Sequence, residues 1–190
     1  MYRATGNLQY YSDTRGRYYN WGQFSRAKAD SFSWDAKTLG TQLLLTQVTR
    51  GDLRIQYMQP LVGYCEAEYE NRARHTPKGL WWYSEWSPTR YALNGAFLCY
   101  QVAEYTHNDD PQKFAEDQVD YILGKSGWSY VIGYKGTGDY YPVTPHHRAS
   151  SCPPKPADCK DYASMADNPK PNVNVLYVRL SVCELYNKIR

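Results

Sequence analysis

The densest chemistry in the sequence lies in one stretch, Pro145-His146-His147-Arg148-Ala149-Ser150-Ser151-Cys152-Pro153. A neutral imidazole donates from one ring nitrogen and accepts at the other, which suits hydroxyl recognition. Adjacent residues of an extended chain point to opposite sides, so His146 and His147 do not both face one ligand. Arg148 carries a planar donor fork able to hold hydroxyls or a carboxylate, with a structural ion pair as the competing role. The five cysteines are Cys65, Cys99, Cys152, Cys159 and Cys183. An odd number leaves at least one unpaired within a monomer. Cys152 and Cys159 lie in a Pro-rich loop and can pair in an oxidising compartment. Cys99 sits in an apolar stretch and reads as core. Zinc would need paired ligand spacing, and His146, His147, Cys152 and Cys159 do not supply it.

A second group lies upstream. Ser87-Pro88 reads as a helix start, with Ser as cap and Pro at the first helical position. That places Arg90 in the first turn, where the helix dipole disfavours a cation by a few tenths of a kcal/mol. A ligand contact or an ion pair would offset that cost. Trp86 precedes the helix and is either a binding surface or core. Trp34 is read as cleft or core. Asp35 is explained as the N-cap of the helix it opens.

The elements that must position these residues are helices. From Asp35 to Val48, Leu39, Leu43, Leu44 and Val48 recur at three-to-four spacing and predict one apolar face. Gly51 marks its stop. Residues 52–69 are a weaker helix candidate. Thr76-Pro77-Lys78-Gly79 predicts a turn, and Leu80-Trp81-Trp82-Tyr83 a short extended segment. From Tyr91 to Tyr105 the helix is apolar nearly all round, which predicts burial on most sides. Asp110-Pro111 opens a further helix through Phe114, Ala115, Val119 and Ile122, closed by Gly124. Residues 125–172 lack helical periodicity and read as a long functional loop. Residues 173–190 read as a short strand or helix.

Composition narrows the class. Aliphatic residues are sparse, a mark of disorder in some chains. The 20 Tyr and 6 Trp argue against disorder. A net charge of +3 and no nucleic-acid motif argue against a nucleic-acid partner. No apolar run approaches the roughly 20 residues that cross a bilayer, so no membrane-spanning segment is expected. The first six residues contain no apolar signal-peptide core.

Several blocks occur in a telling order: Phe114-Ala115-Glu116-Asp117-Gln118-Val119-Asp120-Tyr121-Ile122-Leu123-Gly124, then Ser129-Tyr130-Val131-Ile132-Gly133-Tyr134, then the His146 stretch. Tyr2-Arg3-Ala4-Thr5-Gly6, Phe32-Ser33-Trp34-Asp35, Thr76-Pro77-Lys78-Gly79-Leu80 and Ser84-Glu85-Trp86 with Arg90-Tyr91-Ala92 accompany them. Together they resemble glycoside hydrolase family 9, the endo-β-1,4-glucanases or cellulases, in its animal-like branch. The resemblance runs from Tyr2 to about Tyr177. It implies an all-α fold, the later half of an (α/α)6 barrel, with 1–177 as a partial catalytic domain and 178–190 as a divergent tail.

The implied activity is inverting hydrolysis of internal β-1,4-glucosidic bonds in cellulose. That chemistry needs two carboxyl groups about 6.5–9.5 Å apart. The resemblance makes His146 the signature histidine contacting sugar hydroxyls, with His147 orienting the loop. Arg148 and Arg90 become sugar contacts, and Trp86 a stacking platform. Trp34 and Asp35 become cleft candidates, although the cap explains Asp35 by itself. The implied partner is β-1,4-glucan, cellulose or a cello-oligosaccharide. Secretion is implied too. No cofactor is implied; some members carry calcium, but no ligands for it are assignable here.

The sequence also departs from the family pattern. It contains no Asp-x-Gly-Asp base motif and no Asn-Glu or Asp-Glu near its end. Both principal carboxylates are therefore unmatched, and the chain alone is expected to be inactive, a fragment or a truncated product. As such it would bind β-glucan or have no independent function. Exposed apolar surface on half a ring predicts self-association. The stretch between Ser129 and His146 runs a few residues long, with the excess at 135–140. Ser87-Pro88 stands where the family commonly has Gly after Trp86.

Overall fold

A computed structural model of the protein describes residues 1–20, 31–142 and 152. Six α-helices follow one another there: α1 (Tyr2–Thr5), α2 (Leu8–Asn20), α3 (Thr38–Val48), α4 (Gly51–Glu70), α5 (Pro88–Thr106) and α6 (Asp109–Asp120). None of the described residues forms a strand beyond isolated bridges.

The helix expected from Asp35 starts later, at Thr38. Lys37 occupies the cap position and no side chain caps it. Asp35 is therefore not an N-cap. Its carboxylate takes a hydrogen bond from the Ser33 hydroxyl instead. Ser and Asp bond readily within such turns and thereby compete with helix formation. The buried face of α3 also differs from the expectation. Leu39, Leu43 and Leu45 are buried, with Gln42 and Thr46, whereas Leu44 is 55% exposed.

Residues 52–69 belong to the 20-residue α4, despite Pro60 within it. A proline removes one helical hydrogen bond and leaves a carbonyl unpaired. Gln56 and Pro60 both face solvent, so water can meet that carbonyl. The opposite face buries Tyr57, Met58, Leu61, Tyr64, Cys65 and Glu68.

Small residues let α5 lie close to α4. At Gly95 an added Cβ would sit 3.0 Å from the Tyr64 hydroxyl. Nearby, Cys65 and Cys99 form a disulfide with Cα atoms 5.5 Å apart. Cys99 is buried as expected, but as half of a cross-link rather than as a free core thiol. Helix α5 is not apolar and buried all round. Phe97 is 53% exposed and Tyr100 is exposed too. With Leu93, Ala96, Ala115 and Val119 they line an apolar groove of about 420 Å³ between α5 and α6.

Ser87 does precede α5, with Pro88 at its start, but its hydroxyl caps nothing. The residue sits at φ +57, a left-handed conformation. An L-residue pays roughly 1–2 kcal/mol there, which glycine would not. The Asn108 side chain caps α6 by accepting from the Asp110 amide at 3.0 Å. A π-turn, Tyr121–Lys125, follows α6 and ends through Gly124 at φ +115, as the sequence predicts.

Between α4 and α5 the chain makes a short 3-10 turn, Arg72–Arg74, and a hairpin bridged at His75 and Trp81. The Gly79 amide bonds to the Thr76 carbonyl at 2.8 Å, which is the turn read from the sequence. Gln118 of α6 locks this hairpin, accepting from the Trp81 amide and donating to the Gly79 carbonyl. Residues 126–142 are irregular, as expected. The element expected at 173–190 lies outside the described residues.

Candidate active-site face

The turn bearing Trp34 and Asp35 is pinned to α5. Asn94 of α5 donates to the Phe32 carbonyl at 2.8 Å. Lys37 donates to the Ser33 carbonyl at 2.6 Å. Gly40 faces the Phe32 ring so closely that a Cβ would lie 2.7 Å from it. The turn is thus held between α3 and α5, and it leaves Trp34 74% exposed.

The first turn of α5 carries Arg90. Its guanidinium lies 4.5 Å from the centre of the Tyr91 ring. Its Nε is buried without a hydrogen-bond partner. Behind it stands a column of rings. Tyr91 packs on Tyr83 at 4.8 Å, and Tyr83 stacks on Trp81 at 5.9 Å. Trp81 is wholly buried, and its indole N–H donates to Glu68 at 2.9 Å. Arg74 also pairs with Glu68 at 3.1 Å. Arg90 thus rests on a stack that is anchored in α4. Trp86, just before α5, is 71% exposed. Neither Trp34 nor Trp86 is core, which removes that alternative for both.

Asp35 is held below the usual carboxylate range, chiefly by the Ser33 hydroxyl, then by backbone amides and the Arg90 charge. The electrostatic influence of Arg90 links the two sequence candidates. A depressed carboxylate pKa contributes stability that is present above the unfolded value of about 4 and lost as pH falls through the folded one. Ser33→Ala is expected to raise the Asp35 pKa toward its ordinary value. Side-chain carboxyl NMR across pH 2–6 reads this directly, and an unmoved midpoint would refute the assignment.

The glutamate anchor and the rings of Tyr83 and Tyr91 were not among the sequence candidates. Their positions, 68, 83 and 91, follow no helical or strand period, so only tertiary contact joins them. His146, Arg148 and Cys159 lie outside the described residues. Cys152 is disulfide-bonded. Among the described residues, no group of three or more His, Cys, Asp or Glu could hold a metal ion. A separate cavity of about 690 Å³ is lined by His75, Lys78, Asp110, Lys113, Asp117 and Lys125 among others, and contains none of the sequence candidates.

The family model described as Glycosyl hydrolase family 9 matches residues 1–177. The chain belongs to this family. Among curated relatives, Endoglucanase 15 of Arabidopsis thaliana is 31% identical over 208 aligned positions, covering 93% of this chain and 41% of its own length. Endoglucanase 13 of Oryza sativa subsp. japonica is 33% identical, covering 80% of this chain and 28% of its own. An endoglucanase of the termite Nasutitermes takasagoensis superposes with a TM-score of 0.75 at 34% identity, covering 92% of this chain and 38% of the termite chain. The Clostridium thermocellum endoglucanase CelQ, solved with cellotriose, gives a TM-score of 0.64 at 26% identity, over 79% of this chain and 26% of that one. The described helices are thus part of an (α/α)6 helical toroid. The chain spans about two fifths or less of these family 9 relatives, all of them glycoside hydrolases.

Proposed function

We propose that this chain carries part of the substrate-binding face of an endo-β-1,4-glucanase. The observation that supports this most is Arg90. Its guanidinium stands on an anchored ring column, and its buried Nε has no hydrogen-bond partner among the described residues. Two exposed indoles, Trp34 and Trp86, lie on the chain segments beside it. A flat indole covers the axial C–H face of glucose, while a guanidinium and an ionised carboxylate bond its equatorial hydroxyls. The relative CelQ was solved with cellotriose, and Cel9M of C. cellulolyticum with cellobiose.

In this reading Trp86 and Trp34 stack sugar rings, and Arg90 donates to ring hydroxyls while Asp35 accepts from them. His146 and Arg148 extend the same contacts from the loop, following the family motif. These residues bind and orient. The two carboxylates that an inverting mechanism requires are not matched in this sequence, so hydrolysis is not assigned to these residues alone. Residues 1–177 form the family unit and 178–190 a divergent tail.

We place the protein in the secretory route. The buried Cys65–Cys99 bond and the bonded Cys152 fit an oxidising compartment, where disulfides persist. No helix among the described residues is long and apolar enough to cross a membrane.

Titration of cellotriose by calorimetry tests the binding face. Trp86→Ala and Arg90→Ala should each weaken binding about tenfold or more. Base–aromatic stacks of comparable ring area contribute about 1–3 kcal/mol, a reasonable scale for a sugar on an indole. Wild-type affinity in both variants would refute the reading.

A further inference from the structure

Residues 126–142 form no regular element, yet their backbone is closely fixed. At Gly136, with φ +59, an added Cβ would lie 1.9 Å from the Leu123 carbonyl oxygen. At Gly124 it would lie 2.6 Å from the Gly138 amide. Backbone bonds then fold the segment back on itself. Gly138 N–H donates to the Lys135 carbonyl, Asp139 N–H to that of Gly127, and Ser129 N–H to that of Tyr140, at 2.8–3.1 Å. The result is an arch whose feet meet where Trp128 bridges to Tyr140.

The two rings at those feet stack at 5.8 Å with planes 24° apart. Tyr140 is still 64% exposed. An aromatic ring buries about 150–250 Å² when it joins a core. Here much of that area stays in water, although a glycine-built frame fixes the ring in place. Tyrosine is a rigid, amphipathic contact residue with little rotamer entropy to lose on binding. Residues 135–140, where the sequence reading expects the excess over the family spacing, lie within this arch.

We propose that the Trp128–Tyr140 stack is a distal sugar-binding subsite that takes one pyranose ring of a β-1,4-glucan chain. The inference rests on the glucan reading above and extends it. A β-glucan ring presents flat faces of axial C–H groups with its hydroxyls around the rim. The open face of Tyr140 matches the first, and its phenol can donate to or accept from the second. Short oligosaccharides occupy the Trp86–Arg90 face. Longer ones reach the stack as well, so this subsite adds selectivity for chain length.

The experiment is calorimetric titration of cellotriose and cellohexaose into the full chain and three variants, Tyr140→Ala, Tyr140→Phe and Tyr134→Ala. Tyr140→Ala should weaken cellohexaose at least fivefold and leave cellotriose within twofold. Tyr140→Phe should restore most of the loss, because the ring remains. Tyr134→Ala, a second exposed tyrosine of the arch, should bind both as wild type does. Unchanged cellohexaose affinity in Tyr140→Ala, beside a clear loss in Trp86→Ala, overturns the subsite and leaves the glucan reading intact. An equal loss from Tyr134→Ala overturns the assignment to the stack. Failure of the wild type to bind either sugar overturns both readings.

Discussion

Replacing Cys65 and Cys99 together by Ala is expected to destabilise the chain by about 3–4 kcal/mol. The bond joins residues 34 positions apart, a loop long enough for cross-linking to remove substantial entropy from the unfolded state. Both cysteines are wholly buried between α4 and α5, so truncation also removes packing in the core. For a chain of this length each kcal/mol corresponds to roughly 2–4 °C, which places the melting shift near 6–16 °C. Thermal melts of wild type and double variant, each with and without reductant, measure it. Reductant should lower the wild-type midpoint toward that of the variant and move the variant less, since only the Cys152 bond is left there to reduce. A wild-type midpoint indifferent to both changes would show that the cross-link does not support the fold. The same result would remove the main support for maturation in an oxidising compartment.

Glu68→Ala should cost about 2–4 kcal/mol. Glu68 is buried, accepts the Trp81 indole N–H and pairs with Arg74. Truncation leaves the indole donor without its partner inside the core, at about 1–3 kcal/mol. It also strands Arg74, whose share is discounted because that side chain is 38% exposed. Glu68→Gln keeps an acceptor for Trp81 and should cost about half as much. Urea denaturation separates the two. If Gln and Ala destabilised equally, the indole bond would not be the main term. Because Trp81, Tyr83 and Tyr91 stack in sequence beneath Arg90, Glu68→Ala should also weaken sugar binding, without touching sugar itself.

Much of this was legible in the residues. The helix starting at Pro88, the 76–79 turn and the Gly124 stop are local events. Each follows from a proline or glycine whose backbone preference acts on its immediate neighbours. The ordered motif blocks carried the family and hence the toroid. Arg90 drew attention because a cation in the first turn of a helix is locally unfavourable, and the structure meets that cost with a ring face and the nearby Asp35 charge.

Other features depended on contacts between distant segments. Asp35 has the residue type of a helix cap, but Ser33 two positions earlier captures it, and α3 starts at Thr38 instead. Leu44 fits the apolar spacing of α3 yet faces water, because packing against α4 selects Leu39, Leu43 and Leu45. Phe97 and Tyr100 look like core in an apolar helix but remain exposed, since burial depends on which neighbour covers each face. The Cys65–Cys99 pair could not be chosen among five cysteines from spacing, because a disulfide records proximity in space. The ring column under Arg90 and the Trp128–Tyr140 stack have the same origin. Sequence by itself determined the local conformations and the family, because backbone preference and motif order are properties of neighbours along the chain. Only tertiary structure decided which aromatic rings became core and which were left exposed, because burial depends on which distant segment covers each ring.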